Sequence, residues 1–143
     1  MMGRSRTALL VAYYFPPMGL SGVQRTLKFA KYLSQYGWKS TVLTVGPTGY
    51  FAFDPTLLKE VEEAGINVMR TGSLDPNRIF KRKGLVRMPS ERARKFLQFL
   101  GDFFFVPDTK VGWKRKAIKA GSEFLKNNHC DAIIATAPPQ TDF

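Results

Sequence analysis

The sequence predicts an α/β fold in which helices flank a parallel sheet. Short apolar runs, several rich in β-branched residues, alternate along the chain with longer stretches in which apolar side chains recur every three or four positions. Glycine or proline stands between most of these segments. Strands that alternate with helices form parallel sheets with right-handed crossovers, and such sheets bind ligands beyond the carboxyl ends of their strands.

The first two elements are a strand over residues 7–13 and a helix over residues 22–36. The strand is uncharged from Ala8 onward, as burial on both faces requires, and Pro16 and Pro17 prevent it from continuing. Gly37 ends the helix. Its predicted apolar face is broad and consists of Val23, Thr26, Leu27, Phe29, Ala30, Leu33 and Tyr36.

The remaining elements follow the same alternation. A β-branched run predicts a strand over 39–45, which the Gly46-Pro47 turn ends. A helix over 56–64 follows Asp54, which we interpret as a helix cap or turn residue, and Gly65 stops that helix. The last elements are a strand over 66–70, a helix over 113–127 and a strand over 132–136.

The loop between the first strand and the first helix is a candidate phosphate site, made of Gly19, Leu20, Ser21 and Gly22. Glycine permits positive φ or close approach to a ligand, serine caps helices, and the N–H groups at a helix start attract anions. The spacing matches neither the dinucleotide-binding fingerprint nor the P-loop. A turn in which the glycines serve only the backbone is the alternative interpretation.

Positive charge is concentrated in one segment. The chain has 22 basic and 11 acidic residues, a net charge of +11, and residues 78–95 contain eight basic residues and one acid. An aromatic stripe at helical spacing follows directly. We expect this basic and aromatic insert, residues 75–106, to face an anionic membrane through Lys81, Arg82, Lys83, Arg87, Arg92, Phe96, Phe99 and Phe103.

The insert has two alternative interpretations. The phenylalanines can instead pack on the sheet while the basic residues are merely solvated. Nucleic-acid binding is disfavoured, because the chain contains no helix-turn-helix, zinc-finger or RNP-type motif.

Cysteine usage and hydropathy bear on location. The single cysteine, Cys130, fits a reducing cytoplasm, and with its neighbour His129 it lacks the ligand number of a metal site, so we expect no metal. The apolar run after Arg6 meets two prolines and is not followed by a small-residue cleavage site, so we do not interpret it as a signal peptide. No apolar segment approaches the ~20 residues of a membrane span. The expected location is the cytoplasm, with the inner membrane face as a peripheral site.

Two groups of motifs, about ninety residues apart, resemble a known family. The first comprises Phe-Pro-Pro-x-x-x-Ser-Gly-x-x-Arg over 15–25, Phe-Ala-Lys-Tyr-Leu over 29–33, and Gly-Trp-Lys-Ser-Thr-Val-Leu-Thr over 37–44. The second comprises Pro-Asp-x-x-x-Gly-Trp over 107–113, Asp-Ala-Ile-Ile-Ala-Thr over 131–136, and Pro138-Pro139. Together they resemble the N-terminal domain of the family 4 retaining glycosyltransferases, which have the GT-B fold. Residues 46–105 match only loosely.

The resemblance implies that residues 1–143 form one Rossmann-like domain on the acceptor side of a cleft, with the glycine loop facing the donor diphosphate. A second domain, which would bind the nucleotide sugar and carry paired glutamates, is the implied partner, and a lipid-linked glycan is the implied acceptor. No cofactor is expected in this fragment, which we expect to be inactive alone. The resemblance implies Arg25, Asp108 and Trp113 as cleft residues, with a surface arginine and ordinary capping and packing roles as the alternatives. Gln140 and Thr141 are added as acceptor contacts because they follow the carboxyl end of the last predicted strand.

One position departs from the family pattern. Where family members often carry a histidine after the proline pair, this chain has Phe143, so we assign no catalytic residue. A stand-alone Rossmann-like module that binds phosphate or a membrane surface is the alternative function.

Overall fold

The structure is a computed structural model that describes residues 5–19, 21–46, 49–50, 53–73, 84–85 and 111–136. The helices are α1 (Ser21–Leu33, extended by a 3₁₀ turn at Ser34–Tyr36), α2 (Pro55–Glu63) and α3 (Val111–Asn127). The strands are β1 (Arg6–Val11), β2 (Trp38–Val45), β3 (Gly49–Tyr50), β4 (Asn67–Thr71), β5 (Gly84–Leu85) and β6 (Ala132–Ala135).

The main sheet has four parallel strands in the order β4-β2-β1-β6. In register, Leu10 of β1 lies between Val42 of β2 and Ile134 of β6. The short strands β3 and β5 pair in parallel with each other. The predicted α/β fold is confirmed, and, when the 3₁₀ turn is counted with α1, every helix and main-sheet strand lies within two residues of its predicted ends.

The strand order places helices on both faces of this sheet. From β1 the chain proceeds to β2 and then to β4 on one side of β1, and it then crosses back to β6 on the other side. Right-handed crossovers that run in opposite directions lie on opposite faces of the sheet. Accordingly, α1 contacts β2 and α2, while α3 contacts β2 and β4. The direction changes between β1 and β6, and at such a switch point the loops after two neighbouring strands separate and leave a crevice.

The first strand ends earlier than predicted. Ala12 still donates its N–H to the Leu43 carbonyl oxygen at 3.0 Å. The carbonyl oxygen of Tyr13, however, accepts a hydrogen bond from the Thr44 hydroxyl at 3.0 Å, so a side chain replaces the strand partner at this point.

The apolar face predicted for α1 was too broad. Phe29 is 47% exposed and Tyr36 is 79% exposed. One sheet face covers only a stripe of a surface helix, so the sides of the predicted face remain in solvent. The buried stripe consists of Val23, Thr26, Leu27 and Ala30, with the Thr26 hydroxyl donating to the Gly22 carbonyl.

Helix ends follow the local chemistry that the sequence indicates. Gly37 and Gly65 have φ of 78° and 62°, the left-handed region that favours glycine. Asp54 caps α2, since its Oδ1 accepts from the Thr56 N–H at 2.9 Å and from the Thr56 hydroxyl. These bonds, the hydroxyl bond foremost, lower the pKa of Asp54. The interpretation of Asp54 as a cap is therefore confirmed.

Candidate functional site

The loop after β1 passes over the carboxyl edge of the sheet and leads into α1. The bond between Pro16 and Pro17 is cis, and the Met18 N–H donates to the Phe15 carbonyl at 3.3 Å. The chain thus turns sharply before Gly19 and enters the helix at Ser21. The predicted phosphate-facing loop lies where the topology places a ligand crevice.

Gly22 lies inside the first turn of α1. Its φ is not positive, so a left-handed backbone is not the reason for glycine at this position. Among the described residues, a Cβ built on Gly22 would have no neighbouring atom within 4 Å. As far as these residues define it, the space beside its backbone leaves room for a ligand to approach the helix start.

Two contacts connect this loop to the segment that precedes α2. The Asp54 N–H donates to the Pro17 carbonyl oxygen at 2.8 Å. Met18 also forms an antiparallel bridge with Phe53. The loop before α1 and the segment before α2 are thereby fixed to each other.

A third connection comes from Arg70, which the sequence reasoning did not identify as a site residue. Its Nη2 donates to the Pro16 carbonyl at 2.6 Å and its Nη1 donates to the Val45 carbonyl at 3.4 Å. One guanidinium therefore links β4 to the ends of β1 and β2 at the predicted ligand edge. The available signal was an arginine as the last residue of a predicted strand, since that position belongs to the carboxyl edge.

Trp113 lies at the same edge but is fully buried. Its indole Nε1 donates to the Thr71 hydroxyl at 2.7 Å. Its ring meets the Tyr13 ring edge-to-face, with centroids 5.4 Å apart, and Tyr13 meets Tyr14 in the same way at 5.2 Å. Trp113, predicted as a cleft residue, thus supports the edge from within the core and has no exposed surface.

The other predicted site residues divide into two groups. Arg25 is exposed on α1, one turn after the helix start. The remaining ones lie outside the described residues: Leu20, Lys81, Arg82, Lys83, Arg87, Arg92, Phe96, Phe99, Phe103, Asp108, Gln140 and Thr141.

The electrostatics of this edge favour anions. In a parallel α/β sheet each crossover helix starts at the carboxyl edge, so the positive dipole ends of α1, α2 and α3 point there. Asp54 supplies a carboxylate at the start of α2, while Arg70 adds a cation beside the β1 loop. Within the described residues of this edge, Asp54 is the only carboxylate and serves as a cap. The helix dipoles and the Arg70 guanidinium together create an environment that favours an anion.

The opposite, amino edge holds the histidine and the cysteine. His129 Nε2 lies 2.9 Å from Asp131 Oδ1, while Oδ2 of Asp131 accepts from the Thr7 N–H at 2.8 Å. The Cys130 thiol donates to the Ala132 carbonyl at 3.1 Å. In the part of the chain that the structure describes, no group of three or more His, Cys, Asp or Glu side chains is arranged to hold a metal ion. Nor does any described helix have the length and apolar character of a membrane span.

Compared with protein-family models, curated proteins and solved structures, the chain gives no match. The family resemblance therefore depends on the motifs in the chain itself.

Proposed function

We propose that this chain is the N-terminal, acceptor-side domain of a retaining GT-B glycosyltransferase of family 4. The enzyme transfers a sugar from a nucleotide-sugar donor to a glycan or lipid-linked acceptor in cell-surface polysaccharide synthesis. The domain supplies the β1 loop and the start of α1 to one wall of the cleft. A second domain supplies the donor site.

The observation that carries this proposal is the contact between the two separated motif regions. Tyr13, which precedes the proline pair, and Trp113, which ends the Pro-Asp-x-x-x-Gly-Trp motif, meet edge-to-face at 5.4 Å. Beside them, Val11 of β1 pairs with Ala135 of β6, so these two strands end side by side at the carboxyl edge. Residues that are distant in sequence thus meet in the core beneath the carboxyl edge of the sheet, the edge at which open α/β sheets bind ligands.

This proposal is tested first by the reading frame of the source DNA. We expect the frame to continue beyond the codon for Phe143 for roughly two hundred residues, the length of a second domain. That extension should encode a glycine-rich donor loop and paired glutamates. A stop codon at or near this position contradicts the proposal and favours a stand-alone binding module.

The isolated chain should not transfer sugar. One wall of a cleft cannot hold donor and acceptor in the geometry of a single transition state. A radiolabel transfer assay with nucleotide sugars and a lipid extract should therefore show no product for residues 1–143 and product for the extended protein. Transfer of sugar by the isolated chain would contradict the proposal that catalysis requires both domains.

We also propose that the basic part of the insert brings the domain to an anionic membrane that holds the acceptor. Each Lys or Arg near such a surface contributes on the order of 1 kcal/mol. Changing Lys81, Arg82 and Lys83 to Glu should abolish the preference of the chain for anionic over neutral vesicles in sedimentation assays. The matched control changes Lys39, Lys59 and Lys126 to Glu, with the same total charge change on the described domain. If both variants lose the preference for anionic vesicles to the same extent, net charge alone explains the binding.

A further inference from the structure

The side chain of Lys116 lies across Gly72, the residue that follows β4. A Cβ built on Gly72 would lie 2.9 Å from Nζ of Lys116, 3.3 Å from its Cδ and 3.6 Å from its Cε. The φ of Gly72 is not positive, so the backbone conformation does not require glycine at this position. The missing side chain instead leaves the space that the lysine occupies.

The packing of α3 on the sheet determines where this lysine lies. Trp113 donates its indole N–H to the Thr71 hydroxyl at 2.7 Å, which fixes the start of α3 to the last residue of β4. Lys116 lies one turn further along the helix, and helical side chains lean toward the N-terminal end of their helix. Because α3 starts at the carboxyl edge of the sheet, the Lys116 ammonium lies toward the edge at which ligands bind.

Within the described residues, the Lys116 ammonium forms neither an ion pair nor a hydrogen bond. Arg70, two residues before Gly72, adds a second positive charge to the end of the same strand. The carboxylate of Asp54, at the same edge, is bonded to Thr56 at the start of α2. The described groups at the end of β4 therefore carry a net positive charge, which favours an anionic ligand.

We infer that the Lys116 ammonium binds a phosphate group at the end of β4. Lysine binds phosphate as a point charge with three N–H donors, and such charge-assisted hydrogen bonds are roughly twice as strong as neutral ones. The identity of the ligand rests on the proposed function: it is the phosphate that joins the acceptor sugar to its lipid. Gly72 is a positioning residue, because its lack of a side chain lets the ammonium lie against the backbone.

The position of Lys116 separates this phosphate from one bound at the loop before α1. That loop follows β1, and β2 lies between β1 and β4 in the sheet. Neighbouring strands are ~4.8 Å apart, so the ends of β1 and β4 are separated by about 10 Å. A phosphate at Lys116 is therefore a different group from a donor diphosphate at the glycine loop.

The test uses the whole 143-residue chain and nuclear magnetic resonance titrations at low salt. The probes are inorganic diphosphate, dimethylallyl diphosphate as a short lipid diphosphate, and the corresponding alcohol without phosphate. Both diphosphates should shift the backbone amide signals of Gly72 and Lys116 in a saturable manner. The alcohol should leave these signals unchanged.

Three variants locate the ligand. Lys116→Met should raise the Kd of the lipid diphosphate about tenfold or more, because the charged donor is lost. Gly72→Ala keeps the net charge, but its methyl group displaces the flexible lysine, so the Kd should rise about three- to tenfold. Lys114→Met, on the flank of α3 toward Ile133, is the matched charge control and should change the Kd less than about twofold. Circular dichroism melts verify that each variant folds.

Three results would overturn the inference. If Lys114→Met raises the Kd as much as Lys116→Met, net charge alone explains the binding. If Gly72→Ala binds like the wild-type chain, the ammonium is not positioned by Gly72. If inorganic diphosphate binds and the lipid diphosphate does not, a lipid-linked acceptor is not the source of the phosphate. A stop codon after Phe143 would remove the proposed enzyme but leave diphosphate binding through Lys116 intact, so the two proposals fail separately.

Discussion

At the scale of single residues, Trp113 of α3 connects Tyr13, which follows β1, with Thr71 at the end of β4. The indole is completely buried, packs on Tyr13 and donates its N–H to Thr71 at 2.7 Å. A buried indole N–H that loses its acceptor costs the desolvation free energy of that group, whereas the Thr71 hydroxyl is only half-buried. The hydrogen bond is therefore separable from the packing by conservative substitution.

We expect Trp113→Phe to lower the free energy of unfolding by about 1–3 kcal/mol, since it removes the donor and leaves a smaller ring in the core. Thr71→Val removes the acceptor with little change in shape. Urea unfolding followed by circular dichroism of both single variants and of the double variant gives the coupling, which we expect near ~1 kcal/mol. Strict additivity would show that the hydrogen bond contributes nothing and that Trp113 acts by packing alone.

At the scale of helices and strands, local chemistry determined most boundaries. Gly37 and Gly65 stop their helices with positive φ, and Asp54 starts α2, so these ends could be predicted from residue type. The width of the buried face of α1 could not be predicted in this way. Whether Phe29 is covered depends on which elements pack beside the helix, and periodicity describes one element at a time.

Two helices on the same face are joined by one carboxylate. Glu60 of α2 accepts hydrogen bonds from Lys28 and Lys31 of α1, at 2.5 and 2.7 Å. These bonds lower the pKa of Glu60, Lys28 contributing most, and the bond to Glu60 raises the pKa of Lys31. The stabilisation from Glu60 is complete above its ordinary pKa of 4.5 and is lost as the pH falls through its lowered value in the folded protein.

Glu60→Gln should therefore lower the urea midpoint at neutral pH and low salt, because the charge that pairs two lysines is gone. The difference from the wild-type chain should shrink in about 1 M salt, where the Debye length is ~3 Å, and as the pH approaches the folded pKa. The matched control is Glu63→Gln, whose partner Lys59 lies 3.6 Å away on the same helix with both side chains largely exposed. Indistinguishable midpoints for the two variants would mean that the link between α1 and α2 has no energetic role.

At the scale of the whole molecule, the position of the candidate site comes from strand order. The alternating pattern predicted parallel strands and assigned the ligand to their carboxyl ends, and the parallel sheet is confirmed. The pattern does not specify which strands are neighbours, so the central place of β1 and the switch point beside β6 required the structure. The role of Arg70 could not be predicted from the sequence either, because its partners Pro16 and Val45 are distant from it along the chain.

Arg70 is the residue through which two strands, β4 and β2, hold the loop after β1, so its removal should affect the edge and leave the sheet intact. Arg70→Met keeps most of the side-chain length but loses the donors to the carbonyls of Pro16 and Val45. Hydrogen bonds from charged groups contribute about 1.5–3 kcal/mol, and at ~1.4 kcal/mol per factor of ten this corresponds to a factor of about 10–150.

We therefore expect Arg70→Met to speed amide hydrogen exchange of Asp54 and Met18 by about 10- to 150-fold, because their N–H groups bond to the tethered loop. Exchange of Ala12 and Thr136, which bond to Leu43 and Val11 in the sheet, should change little. Arg115→Met, on the exposed side of α3, is the matched control. If all four amides exchange faster together, Arg70 stabilises the domain as a whole. If none does, the loop holds its shape without the guanidinium, and the candidate phosphate site is organised by its own turn.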